Sequence, residues 1–165
     1  MNEKNLKQKA LKFINLSKLD FKFKDKPLLV SGVAMMYHEL RESDKDIDMI
    51  LIRRDHLELS KKLIDEADIL EEPHKSGFKE KSQFSDLFGD HGILIYEFEL
   101  WDSIMLFGYD ELKDNALDEK DFLVISLEKL MMLSVIRGVY TERYLEDAKL
   151  IAKKSLIQST KIRNI

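Results

Sequence analysis

The chain contains no cysteine, so it can build neither a disulfide framework nor a thiolate metal site. That usage suits a reducing compartment and makes the cytoplasm the expected location. Two prolines and six glycines among 165 residues exclude a collagen-like or low-complexity chain. Long apolar runs are missing as well. The stretches around Leu127 to Ile136 and Ile93 to Leu106 are interrupted by charges or fall short of the ~20 apolar residues of a membrane span, so no membrane association is expected. The segment Met1 to Lys12 carries lysines but no following apolar run with a small-residue cleavage site, unlike a signal peptide. Nor is there an excess of one charge: 27 Lys and Arg against 31 Asp and Glu leave a net charge of −4. Such a balance disfavours coating a duplex by neutralising many phosphates.

What remains is a globular composition, 44% hydrophobic and 35% charged, in a chain of a length suited to one domain over residues 1–165. Residues 3–17 place Leu6, Ala10, Phe13 and Ile14 at helical spacing among lysines, which predicts an amphipathic helix. After Lys26-Pro27, the run Leu28-Leu29-Val30 predicts a strand, Ser31-Gly32 a tight turn, and Val33 to Leu40 a helix. A second strand is expected over Ile47 to Ile52, then a helix over 56–67 capped by Asp55, with Leu59, Leu63, Ile64 and Ala67 as its stripe. Residues 69–91 suggest short strands and loops. One strand is expected over Gly92 to Leu100, which 103–107 would continue or pair with.

Helical punctuation dominates the C-terminal third. Ser126 can cap a helix over Leu127 to Arg137 that is apolar nearly all round and hence expected between neighbours, with Gly138 as a left-handed stop. Thr141 can cap the next helix, 142–157. The core would span about 26–125 and the C-terminal helices about 126–157. This order of elements predicts an α/β fold, a mixed sheet with helices packed against it.

The most informative spacing is Ser31-Gly32 followed by Asp46-Ile47-Asp48. On a strand, Asp46 and Asp48 share a face with Cα atoms roughly 6.5–7 Å apart, where two carboxylates repel unless a cation lies between them. Hard oxygen ligands suit Mg²⁺ or Mn²⁺. A glycine turn opening a helix lets backbone N–H groups approach a phosphate. Arg41, in the intervening loop, is a candidate phosphate contact, and Glu97, Glu99 or Asp102 could complete the carboxylate set. Glu97 is preferred because it lies mid-run between Tyr96 and Phe98, where a carboxylate needs a partner. The four histidines show no two-His helical spacing, and no Walker loop, Gly-x-Ser-x-Gly elbow or dinucleotide fingerprint occurs.

An apolar strand, a Ser31-Gly32 turn, Ala34 in the next helix, Arg41, and then Asp46-Ile47-Asp48 resemble the core motif of the nucleotidyltransferase superfamily. The pattern is similar in particular to small prokaryotic members related to minimal nucleotidyltransferases and to toxin components of abortive-infection systems. Val124 to Leu130 resembles the strand-to-helix entry of that group, and Asp147 the acidic position of its closing helix. The resemblance implies metal-dependent transfer of a nucleoside monophosphate from a nucleoside triphosphate to an acceptor hydroxyl on RNA or tRNA, a small molecule or a protein. Asp46, Asp48 and Glu97 would hold Mg²⁺ or Mn²⁺, and Ser31, Gly32 and Arg41 the phosphates. Lys149, Lys153, Lys154, Lys161 and Arg163 give the tail a basic face useful to an RNA acceptor. Ser31 stands where the group's turn opens with glycine, and Ser134 where related chains often carry lysine. These departures fit a second reading, an inactive binding module in a two-component, toxin–antitoxin-like system.

Overall fold

The computed structural model describes residues 5–43, 46–67, 76–79 and 92–163. Its first helix, α1 (Leu6–Phe13), buries Ala10 and leaves Lys9 and Lys12 in solvent. It is shorter than the expected 3–17. Ile14 turns extended, and the Asn15 side chain accepts from Ser17 N–H at 3.2 Å, opening a separate 3-10 turn over Leu16–Leu19.

Next come β1 (Leu28–Leu29), α2 (Ser31–Tyr37), β2 (Ile47–Ile50) and α3 (Arg53–Ala67). Asp55 lies inside the first turn of α3 and not ahead of it. Its carboxylate accepts from the backbone N–H groups of Lys24 and Asp25 at 2.9 and 3.3 Å, so it ties the incoming chain to the helix. Of the segment 69–91, β3 (Ser76–Lys79) is a strand, and the other positions lie outside the described residues.

The stretch Gly92 to Leu100 is not one strand. It folds into β4 (Gly92–Ile95) and β5 (Phe98–Trp101), paired antiparallel with Ile93 opposite Leu100 and Ile95 opposite Phe98. Tyr96, at φ 53°, makes the reversal. This conformation is uncommon for a side chain without a short polar group, and no Asn-Gly or Asp-Gly marks it in the sequence. Residues 103–107 neither extend this hairpin nor pair with it. Instead β6 (Ser103–Ile104) and β7 (Phe107–Gly108) pair with each other in a separate ribbon that leads into α4 (Tyr109–Leu112).

With β8 (Leu117–Asp118) and β9 (Leu123–Val124), the main sheet has, among the described residues, seven strands in the order β3-β4-β5-β2-β1-β9-β8. It is mixed: β1 runs antiparallel to β2 and parallel to β9, and β2 runs parallel to β5. Leu28, Leu29, Met49, Ile50, Phe98 and Leu100 are fully buried in it. The fold is therefore mixed α/β, with helices packed on a mixed sheet. Among the described residues, no helix is long and apolar enough to cross a membrane.

The chain closes with α5 (Leu127–Gly138) and α6 (Glu142–Arg163). Ser126 caps α5 as expected, its hydroxyl accepting from Lys129 N–H at 3.2 Å. Although α5 is apolar nearly all round, it is not enclosed: Val135 is 46% exposed, and Leu130, Leu133, Ser134 and Arg137 form the buried side. Gly138 is not a left-handed stop either, because no described glycine has positive φ. It is small for another reason. A Cβ placed there would lie 2.3 Å from Leu145 Cδ2 and 2.7 Å from Leu145 Cγ, so glycine lets the start of α6 cross tightly against the end of α5.

That crossing gives a double-mutant prediction. Gly138→Ala should destabilise the native chain, since Leu145 must move, yet in a Leu145→Ala background it should stabilise by up to ~1 kcal/mol through helix propensity. Urea-unfolding midpoints of the four proteins measure the coupling, and equal stabilisation by alanine in both backgrounds would contradict the packing account.

Candidate functional site

Strand order brings the ends of distant segments together. Since β1 and β2 are antiparallel neighbours, the residue leaving β1, Ser31, emerges at the edge where Asp46 leads into β2, and Val30 N–H donates to Asp48 C=O at 3.0 Å. The helices α5 and α6 border this edge. The resulting cleft, of about 210 Å³, is lined by Ser31 and Gly32, by Arg41, Asp46 and Asp48, and by Ser134, Arg137, Arg143, Tyr144 and Asp147 from the C-terminal helices. Five of the six site residues expected from sequence thus meet in one place.

Glu97 is the exception. It sits in the β4–β5 turn, where Lys18 Nζ lies 2.5 Å from its carboxylate, so it has a local cationic partner and does not line the cleft. Burial pushes its pKa upward, but the hydrogen bond and charge of Lys18 outweigh this and hold it below the usual glutamate range. The mid-strand burial argued from sequence fails because the strand is a hairpin. Glu99 is placed differently. It is the parallel partner of Asp48, in register on the adjoining strand, and only 8% exposed, but like Glu97 it does not line the cleft. Residues paired this way project from the same sheet face at the inter-strand spacing of about 4.8 Å. Asp102 stands beyond the end of β5, beside Ser103 Oγ at 3.3 Å.

Can this donor set hold a divalent ion? Among the described residues no group of three His, Asp or Glu side chains is arranged as a metal cage. Two carboxylates are, however, the usual protein contribution to a Mg²⁺ site completed by waters and substrate phosphates. Asp46 and Asp48 line one cleft with hard oxygen donors only, so the residues fit such an ion.

The turn itself differs from expectation. Its positive φ belongs to Ser31, at 60°, while Gly32 has an ordinary φ. Gly32 is small because the 41–43 loop presses against it: a Cβ would lie 2.6 Å from Ser43 Oγ. Moreover, α2 has only seven residues, so its dipole offers little to an anion. Positive charge over the turn comes instead from arginines.

Arg137 is the principal one. A charged residue buried to 8% exposure needs partners. Its Nη1 donates to Ser31 Oγ at 3.1 Å, its Nη2 donates to the Tyr144 hydroxyl at 2.6 Å, and its guanidinium lies 4.0 Å from the Tyr144 ring centroid. Burial pulls its pKa below the usual arginine range, while Tyr144, Asp48 and Asp147 oppose that pull. Arg143 approaches the same ring, at 5.2 Å. Arg41 is clasped by Asp147 through two bonds, Nε to Oδ1 at 2.6 Å and Nη2 to Oδ2 at 2.9 Å, and the Asp147 hydrogen bonds hold its pKa above the ordinary value.

The sequence reading did not place Arg137, Arg143 or Tyr144 in the site. A signal existed for Arg137: it is the one charged residue within the apolar run from Leu130 to Gly138. The two described histidines, His38 and His56, do not line the cleft. His38 Nε2 is 2.8 Å from Ile125 C=O, and burial holds its pKa below the ordinary range. His74 and His91 lie outside the described residues.

Comparison with protein-family models, with curated proteins and with solved structures finds no match to this chain. Function must be read from the cleft.

The strained turn makes a local prediction. Both Ser31→Ala and Ser31→Gly lose the hydroxyl that accepts from Arg137, but only glycine relieves the left-handed backbone. Glycine at position 31 should therefore be more stable than alanine by about 1–2 kcal/mol, the reverse of their order within a helix. Denaturant midpoints of the two variants decide it.

Proposed function

We infer that the cleft is the active site of a metal-dependent nucleotidyltransferase, as the resemblance of the Ser31-Gly32 and Asp46-Ile47-Asp48 segments implies. The observation that carries the reading is the meeting of Asp46 and Asp48 with Ser31, Arg137 and Arg143 in a single cleft. Carboxylates on the sheet side and guanidiniums on the helix side form the pair of charges that a metal–polyphosphate complex requires.

In this reading, Asp46 and Asp48 hold Mg²⁺ or Mn²⁺, with Glu99 beside Asp48 as the third carboxylate in place of Glu97. The ion, when bound, neutralises and orients the phosphates. Arg137 and Arg143 bind the polyphosphate, and Tyr144 keeps the two guanidiniums facing the cleft. The acceptor hydroxyl oxygen forms a bond to the α-phosphorus, the bond to pyrophosphate breaks, and the hydroxyl proton passes to solvent. Catalysis rests on positioning and charge neutralisation.

Charge makes the ion obligatory. The lining includes three arginines, Arg41, Arg137 and Arg143, against four carboxylates, Glu42, Asp46, Asp48 and Asp147. Three positive charges minus four negative ones leave −1, a poor host for a bare triphosphate. Metal and nucleotide should each tighten the other's binding by the same factor. A second reading, a binding module without transfer, is favoured by one observation: neither Glu97 nor Glu99 lines the cleft beside Asp46 and Asp48.

Mn²⁺ or Mg²⁺ with a nucleoside triphosphate should raise the melting temperature more than either alone, and Asp48→Asn should abolish the shift while somewhat lowering the metal-free melting temperature, because the Asp48 charge supports the buried Arg137 guanidinium. With α-labelled triphosphates and candidate acceptors, Glu99→Gln should reduce label transfer about 100-fold and Glu97→Gln far less. Metal-dependent nucleotide binding without label transfer to RNA, protein or small molecules would favour the module, and an equal metal response in Asp48→Asn would remove both readings.

A further inference from the structure

Two guanidinium groups flank the Ser31-Gly32 turn from different parts of the chain. Arg137 Nη1, reaching from α5, donates to Ser31 Oγ at 3.1 Å. Arg41 Nη1, from the loop after α2, lies 4.0 Å from the point where a Cβ on Gly32 would stand. The orientation of Arg41 is not left to its own rotamers. Asp147, a carboxylate only 5% exposed, takes Nε and Nη2 in a two-bond fork, and the remaining nitrogen, Nη1, also donates to Glu42 C=O at 3.2 Å. A planar guanidinium gripped along its Nε–Nη2 edge can present only its outer edge, Nη1 and the second Nη2 hydrogen, to the cleft.

We propose that Asp147 is a positioning residue for the anion site: through its fork with Arg41 it aims Nη1 at a phosphate oxygen held between Arg41 and Arg137. The proposal rests on the transferase reading, with a polyphosphate as the anion. Asp147 touches no substrate. Its effect is to fix a long, half-exposed side chain before the ligand arrives, so that less conformational freedom is lost on binding.

Two influences of Asp147 on anion affinity have opposite signs. Its negative charge weakens the field of the cleft, while its grip on Arg41 improves the contact. High salt suppresses the first more than the second, since the screening length falls to a few ångströms near 1 M.

The test is a calorimetric titration of the full chain with inorganic pyrophosphate and Mg²⁺ in about 0.5 M NaCl. Asp147→Asn and Arg41→Lys should each bind about tenfold more weakly than the native chain, and the double variant no more weakly than either, because both remove one device. Asp147→Glu keeps the charge and shifts the fork by one methylene. It should lose affinity several-fold and serves if the asparagine variant does not fold. The charge swap Arg41→Asp with Asp147→Arg should recover melting temperature without recovering affinity. Equal or tighter binding by Asp147→Asn, while Arg41→Lys binds weakly, would overturn the proposal and make Asp147 a competitor for Arg41. Recovery of affinity by the swap would also overturn it, reducing the fork to a structural tie. No pyrophosphate binding by the native chain would fail the transferase reading itself, and this proposal with it.

Discussion

The arrangement of the cleft depends on how the C-terminal helices are held against the edge of the sheet where β1 and β2 meet. Two arginine contacts do this at opposite flanks of one turn. Arg137 reaches from α5 to Ser31, and Asp147 reaches from α6 to Arg41. Each is a hydrogen-bonded charge in a partly desolvated place, where losing one partner costs more than the pair contributes. The helices meet closely enough for both contacts because Gly138 admits Leu145.

The sheet provides the other half. β1 has only two residues and β9 only two, yet they place β2 at the middle of the sheet with a neighbour on each side. Asp48 is consequently held between an antiparallel and a parallel ladder, and Glu99 is brought beside it by register alone. Carboxylates on a rigid central strand and arginines on packed helices divide the labour. In the proposed function, β2 would fix where a cation sits and α5 and α6 where its anionic partner lies.

Much of this was legible in the amino-acid order. The strand before Ser31, the alternation that places Asp46 and Asp48 together, and the Ser126 cap follow from local patterns with short-range physical causes, whereas the helix opens at Ser31 and takes in the residues expected as a turn. The hairpin at Tyr96 did not follow, because alternating apolar and polar residues run unbroken through the reversal and an aromatic residue occupies its left-handed position. That reversal places Glu97 in a turn beside Lys18 and leaves Glu99 on the strand beside Asp48. Arg137 escaped notice for a different reason: its partners, Ser31 and Tyr144, lie 106 and seven residues away, and only tertiary packing brings the first of them near. Gly138 was read as a left-handed stop, whereas it is small where Leu145 packs against it, and the left-handed residue at the Ser31-Gly32 segment is Ser31.

The central claim is that Asp46 and Asp48 hold a cation whose anionic partner lies toward Arg137. Its most direct measurement is a crystal structure of the chain with Mn²⁺ and a non-hydrolysable nucleoside triphosphate, using anomalous scattering to locate the metal. The account predicts an anomalous peak bonded to oxygens of Asp46 and Asp48, with the polyphosphate between it and the Arg137 and Arg143 guanidiniums. Manganese bound elsewhere, or a polyphosphate lying away from the arginines, would contradict it.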